Sequence, residues 1–157
     1  MKFSTKEDIE APSDVVFAAL TDFAQFERAA LRRGAQPVRM DSLDQPGVGM
    51  GWNVRFRMRG KWRRVICDLR EYDFPSRIAV FAESAGFDMV LELNLLALSR
   101  GRTRLGVAFD IRPRTLPARI KLQSAKLIKA SLNRKFAGRV QKFAADLELR
   151  HLKPRIG

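Results

Sequence analysis

Residues 116–151 read LPARIKLQSAKLIKASLNRKFAGRVQKFAADLELRH. The stretch holds one glycine, Gly138, and no proline beyond Pro117, so one long helix is the natural interpretation. Apolar residues recur in it every three or four positions, which predicts one buried helix face: Ala118, Leu122, Ala125, Ile128, Leu132, Phe136, Val140, Phe143 and Leu147. Such a helix would be about 50 Å long, longer than a small sheet is wide. We therefore expect an overhanging end or a kink near Gly138.

The residues before this helix alternate between apolar and polar side chains, which predicts strands with one buried face. The clearest alternation is in Trp52-Asn53-Val54-Arg55-Phe56-Arg57-Met58-Arg59. Short turns such as Gly60-Lys61 make neighbouring strands antiparallel. With further strands expected over 3–10, 36–40, 62–72, 77–83, 87–98 and 103–111, we count about seven.

Two short helices are predicted between the first two strands. Ser13 is a good N-cap for the first helix, and Gly34 is suited to end the second because glycine accepts a positive φ. The predicted fold is α+β: a curved antiparallel sheet, two short N-terminal helices and one long C-terminal helix. We expect a single domain over residues 1–157 with an ordered core of about 3–150.

The stretch Ile9–Phe23, IEAPSDVVFAALTDF, resembles the N-terminal signature of the polyketide cyclase and Bet v 1-like superfamily, often called SRPBCC. That resemblance implies the START-like helix-grip fold, whose order of elements matches the one predicted above. Members of the superfamily include lipid and hormone carriers, polyketide cyclases, quinone-binding proteins, chaperone activators and a ribosome-associated toxin. The chain departs from the pattern after Phe23, where many relatives have a proline followed by tryptophan, so the pocket mouth near that corner is expected to differ.

Several classes of protein are disfavoured by composition. No apolar run approaches the ~18–20 residues that span a bilayer, and the first eight residues turn acidic where a signal peptide would be apolar, so we expect a cytoplasmic protein. Cys67 is the only cysteine, which rules out an internal disulfide and a cysteine-based metal cluster. We interpret it as a small buried apolar residue in a strand.

The net charge of +13 is concentrated at one end of the chain. From Arg112 onward, thirteen lysines and arginines stand against Asp146 and Glu148, so this segment carries +11 of the total. A solvated helix face that aids solubility is one explanation. Because like charges at helical spacing repel each other, an anionic partner is the alternative, either membrane lipid or RNA. The residues predicted for that surface are Lys126, Lys129, Lys135 and Arg139.

A curved sheet covered by one helix leaves a gap that side chains either fill or leave open for a ligand. Each inward apolar residue is therefore either a core residue or part of a pocket wall for a lipid, quinone or polyketide-like molecule. The candidates are Trp52, Val54, Phe56, Met58, Met89, Leu91, Leu93, Leu105, Val107 and Phe109 from the sheet, with Phe136 and Val140 from the helix.

The sequence contains no positive sign of catalysis. We find no histidine pair, carboxylate cluster, phosphate-binding glycine loop or dinucleotide fingerprint, so neither a metal nor another cofactor is expected. Glu83 and Asp68 in predicted strands either point inward as acid or base or lie on the wet face. Tyr72 is the only tyrosine and the third candidate. A hydrophobic carrier, a cyclase or dehydratase, and an RNA-, ribosome- or membrane-interacting module thus remain as functions.

Overall fold

The protein, a computed structural model, is described over residues 1–156, with side chains through Leu152. Seven strands form one antiparallel sheet in the order β1-β7-β6-β5-β4-β3-β2. The strands are β1 Lys2–Ile9, β2 Gln36–Arg39, β3 Gly51–Met58, β4 Lys61–Asp73, β5 Arg77–Ser84, β6 Phe87–Ser99 and β7 Arg102–Pro113, and the helices are α1 Ser13–Leu20, α2 Phe23–Arg32, α3 Leu116–Lys126 and α4 Lys129–Ile156. This architecture confirms the predicted fold class.

The sheet curves around the helices. The pairing of β4 with β5 shifts register between Leu69 and Glu71, and that of β6 with β7 shifts between Ala97 and Ser99. An extra residue on one strand bends the strand and increases its twist, so both irregularities favour a concave sheet. The face of the sheet toward α4 is called the inner face below, and the opposite face the outer face.

The two N-terminal helices are held at one end of the sheet. The buried Thr103 hydroxyl in β7 donates a 2.8 Å hydrogen bond to the Ala11 carbonyl, just before α1. The prediction for Ser13 was wrong: Pro12 occupies the cap position of α1, and no side-chain hydrogen bond caps this helix. In α2 the cap is Asp22, whose carboxylate accepts from the Gln25 N–H. Gly34 follows α2 with φ 86°, as predicted.

The C-terminal helix is interrupted, but not near Gly138. Leu127 and Ile128 separate α3 from α4, and their N–H groups donate to the carbonyls of Ser124 and Ala125, three residues back. This tightened turn lets α3 follow β7 while α4 runs along β1. The predicted kink near Gly138 was therefore wrong, because α4 continues through that residue.

The fully buried core lies toward the α1 end of the sheet. Ile9, Phe17, Leu69, Ile78 and Leu105 are almost completely buried there, and Ala144 and Leu147 close it from α4. Toward the N-terminal part of α4 the apolar side chains are only partly buried, among them Phe136 and Val140 on the helix and Val54 and Leu91 on the sheet. Packing is thus complete at one end and incomplete in the middle. None of the helices within residues 1–156 combines the length and apolar character that crossing a membrane requires.

Candidate functional site

Small-molecule sites in proteins have volumes of roughly 300–1,000 Å³, and a cavity of 620 Å³ lies between the inner face, α2 and α4. Its wall is apolar except for two charged side chains, Glu27 and Arg139. The lining residues are Leu20, Phe23, Phe26, Glu27, Ala30, Pro37, Trp52, Val54, Cys67, Ile78, Val80, Leu91, Leu93, Leu105, Val107, Phe136, Arg139, Val140 and Phe143. Since Phe26 and Arg139 are exposed, the cavity reaches the surface between α2 and α4.

The structure places eight of the twelve predicted pocket residues in this wall: Trp52, Val54, Leu91, Leu93, Leu105, Val107, Phe136 and Val140. The other four, Phe56, Met58, Met89 and Phe109, alternate in step with wall residues but lie farther toward the β3–β4 hairpin. Met58 is half exposed, and the Phe109 ring packs 6.3 Å from the Phe3 ring. The alternation of apolar and polar residues correctly predicted which side chains lie on the inner face of the sheet. It did not predict how far the cavity extends along the strands, because α2 and α4 limit that extent.

Sequence reasoning missed the part of the wall that α2 supplies. Phe23, Phe26 and Ala30 are spaced by three and four residues, so they share one face of α2. That spacing is the signal that was available. The remaining missed residues come from the end of α1, where Leu20 lies, from α4 and from strands, including Cys67 opposite Trp52 in the β3–β4 pairing.

The Trp52 ring is fixed in the wall from three sides. Its indole N–H donates a 2.9 Å hydrogen bond to Oε1 of Glu27. The Arg39 guanidinium lies 5.5 Å from the ring centre, and the Phe23 ring lies 5.2 Å away. Oε1 of Glu27 is thereby used as an acceptor inside the wall, and a carboxylate has a second oxygen that can also accept.

Arg139 is the cation at the rim of the cavity. Among the described side chains, no carboxylate lies within ion-pair distance of it. An exposed guanidinium beside an apolar opening can meet a ligand carboxylate, phosphate or carbonyl oxygen.

Cys67 has a thiol unsuited to nucleophilic chemistry. Burial raises its pKa, and the negative charge of Asp68 raises it further. A raised pKa keeps the sulfur protonated at neutral pH, and the thiolate is the nucleophile. The half-buried position matches its interpretation as a small apolar residue.

The three predicted catalytic candidates do not meet in the cavity. Asp68 and Glu83 side chains are both 53 % exposed and lie near Arg70 and Arg114, at 3.6 Å and 4.0 Å. Tyr72 packs edge-on against Phe17, 5.2 Å between ring centres, in the core beside α1. The inward orientation considered for the two carboxylates is therefore wrong, since both belong to polar positions of the outer face. Within the described residues, no group of three or more His, Cys, Asp or Glu side chains is arranged to hold a metal ion.

The charged surface has two parts, and sequence reasoning identified one. Lys126, Lys129, Lys135 and Arg139 are all exposed on the C-terminal helices. The second part, called the basic hairpin, consists of the six lysines and arginines of residues 55–64. Exposed Trp62 lies within it, with the Arg55 and Arg57 guanidinium groups 5.3 Å and 5.7 Å from its ring. The net charge of residues 1–111 is only +2, because acidic residues elsewhere in that part of the chain balance the basic hairpin. A net charge counted over so long a segment therefore did not reveal this local cluster.

Comparisons with known proteins agree with this architecture. The family model described as polyketide cyclase / dehydrase and lipid transport matches residues 1–150. The Zhui aromatase/cyclase of Streptomyces is similar in structure, with a TM-score of 0.66 and 15% identity over 96% of this chain and 94% of that chain. A Thermus thermophilus protein gives 0.61 and 16% over 98% and 99%, and a START superfamily protein of Mycobacterium smegmatis gives 0.57 and 15% over 90% and 97%. No curated protein matches the sequence significantly.

Proposed function

Because the chain belongs to the polyketide cyclase / dehydrase and lipid transport family, we propose that it binds and carries an apolar small molecule in the cavity between the sheet and α4. One observation supports this above all: 620 Å³ of space with an almost entirely apolar wall in the middle of the fold. Ligand sites in proteins have volumes of roughly 300–1,000 Å³ and are predominantly apolar with few polar groups.

The wall also suggests the character of the ligand. Its depth is apolar, so the part that enters would be a hydrocarbon or fused-ring body such as that of a lipid, quinone or polyketide. Oε1 of Glu27 accepts from the Trp52 indole, and Arg139 is the cation at the rim. We therefore propose a ligand whose oxygen-bearing group remains at the rim beside Arg139.

Filling the cavity tests the proposal. We expect Val140→Trp, on the α4 side of the wall, to weaken binding of the neutral fluorescent probe N-phenylnaphthylamine by about tenfold or more, since the indole would occupy ligand space. Val48→Trp, at an exposed loop position, is the matched control. Native mass spectrometry with solvent extraction of the purified protein identifies any molecule carried. Equal probe affinity in wild type and Val140→Trp would contradict the proposal.

A cyclase- or dehydrase-like reaction is the second candidate, and the carboxylate of Glu27 in the cavity wall is the observation that favours it. A carboxylate beside a bound ketone can take up or deliver a proton. Incubation of the extracted ligand with wild type and with Glu27→Gln, followed by mass spectrometry, separates the two functions. A carrier returns the ligand unchanged from both, whereas loss of water only in the presence of wild type would establish catalysis.

We further propose that the exposed cations Lys126, Lys129, Lys135 and Arg139 contact an anionic partner. The support is their exposure together with the absence of acidic residues from 111 to 145, where ten lysines and arginines occur. Exchange of the first three for Glu should abolish binding to anionic vesicles or RNA, and wild-type binding should weaken steeply with salt. Binding that survives the exchange would contradict this surface.

A further inference from the structure

Helix α3 is apolar on two opposite faces. Ala118 and Leu122 are buried against the sheet. On the other side, Leu116, Ile120 and Leu127 are 69%, 57% and 89% exposed. These three residues, called the α3 stripe, are spaced by four and seven positions and so lie on one face, because Leu127 keeps helical dihedrals with φ −65° and ψ −25°. The fold explains the first face and leaves the second without a partner among the described residues.

Cations line the α3 stripe. Arg119 is one turn after Leu116, and Lys126 is two turns after Arg119, so both lie along one edge of the stripe. Lys129 follows directly after the turn. All three side chains are exposed. An apolar stripe edged by cations is the pattern of helices that lie in the interface of an anionic bilayer.

More positive charge lies at the same end of the sheet. The Ser84 hydroxyl donates a 2.5 Å hydrogen bond to the Arg64 carbonyl of the basic hairpin. Two residues later, the Gly86 carbonyl accepts from the Arg114 N–H at 2.6 Å, immediately before α3. The β5–β6 turn therefore contacts both the basic hairpin and the start of α3, so their charges add to one local field.

The aliphatic side chains decide between the two anionic partners. A bilayer offers phosphates to the cations and a hydrocarbon layer to leucine and isoleucine. RNA offers phosphates to the cations and flat bases to the rest of a binding surface. Proteins bind those bases by stacking aromatic side chains or arginine guanidinium groups on them. No aromatic residue lies in the α3 stripe.

We propose that α3 docks this protein on an anionic lipid bilayer, with the α3 stripe in the acyl boundary and Arg119, Lys126 and Lys129 on lipid phosphates. The proposal names the partner of the anionic surface proposed above and rests on it. Docking there would bring the cavity, whose rim includes Arg139 on α4, to a source of apolar ligands.

The test is co-sedimentation of the full chain with vesicles of phosphatidylcholine containing about a third phosphatidylserine. The stripe variant is Leu116→Ser, Ile120→Ser and Leu127→Ser. Its matched control changes Leu31, Val48 and Leu96, which are 57%, 61% and 59% exposed, to Ser. We expect wild type and the matched control to bind, and the stripe variant to bind about a hundredfold more weakly. Vesicles of phosphatidylcholine alone should bind none of them strongly.

Every other outcome overturns the proposal. If the stripe variant binds vesicles as wild type does, α3 is not the docking element. If wild type ignores the vesicles but binds a single-stranded RNA oligonucleotide, the anionic surface remains and its partner is nucleic acid. If wild type binds neither the vesicles nor the RNA, the proposal of an anionic partner for these cations is wrong as well. Binding of N-phenylnaphthylamine, measured on the same proteins without vesicles, reports separately on the cavity, and circular dichroism shows that the stripe variant is folded.

Discussion

At the scale of single residues, Asp41 connects a surface loop to the cavity. Its carboxylate accepts hydrogen bonds from Nε of Arg39 at 2.8 Å and from the N–H groups of Gly51 and Leu43 at 2.9 Å and 3.0 Å. Arg39 in turn lies over the Trp52 ring in the cavity wall. The hydrogen bond from Arg39, assisted by those from Gly51 and Leu43, holds the pKa of the Asp41 carboxyl well below its usual range.

We expect Asp41→Asn to destabilise the protein at neutral pH, with a difference that depends on pH. Because the pKa of Asp41 is lowered in the folded chain, its stabilisation is present above the unfolded pKa, about 3.8, and declines as pH falls below it. Thermal unfolding of wild type and Asp41→Asn between neutral and strongly acidic pH measures this. Melting temperatures that differ by the same amount at every pH would contradict the role assigned to Asp41.

At the scale of elements, the break between α3 and α4 shows what periodicity can and cannot predict. A single tightened turn has about 3.0 residues instead of about 3.6, so it changes the helical spacing by less than one residue. A repeat of apolar residues every three or four positions therefore continues through the turn, and the sequence does not show where it lies. Ile128 was predicted on the buried stripe and is more than half exposed, whereas Phe136, Val140 and Leu147 keep their predicted side. The helix and its buried face were therefore predictable. The position of the break was not, because it depends on which strands α3 and α4 contact.

The contact between the β5–β6 turn and α3 leads to a prediction about stability. Gly86 has φ +87°, and a Cβ there would lie 2.7 Å from Oγ1 of Thr115, the hydroxyl that accepts from the Ala118 N–H and caps α3. We expect Gly86→Ala to lower the free energy of unfolding by about 1–3 kcal/mol, because it strains the backbone and disturbs the cap.

Urea denaturation measures this change. Gly101→Ala is the matched control, since Gly101 also lies in a hairpin turn but has open space around it and no positive φ. Equal stability of Gly86→Ala and Gly101→Ala would show that the turn does not hold α3.

At the scale of the whole molecule, the fold was predictable and the extent of the cavity was not. Alternation in residues 52–59 and the signature in residues 9–23 are local properties of the sequence, and both indicated a curved antiparallel sheet under a helix. The cavity, in contrast, depends on where the side chains of the sheet and those of the helices do not meet. Phe56 and Val54 are indistinguishable by pattern, yet only Val54 borders the cavity, because α2 and α4 lie above it.

The incomplete packing in the middle of the fold predicts that an occupant stabilises the whole chain. A ligand that binds only the folded state adds about 2.7 kcal/mol of stability at a free concentration about 100 times its Kd. We therefore expect N-phenylnaphthylamine to raise the melting temperature of wild type by several degrees, measured by circular dichroism. The rise should be absent in Val140→Trp, and an equal rise in both would place the probe outside the cavity.

The two tryptophans occupy different environments, and this makes the protein a source of two separable optical signals. Trp52 borders the cavity, whereas Trp62 lies among arginines of the basic hairpin. In Trp62→Phe, all indole emission would come from the cavity wall, so energy transfer to a bound naphthylamine would follow loading and release in real time. In Trp52→Phe, a blue shift of the remaining emission on addition of vesicles would report whether the hairpin end approaches the lipid, without any attached dye.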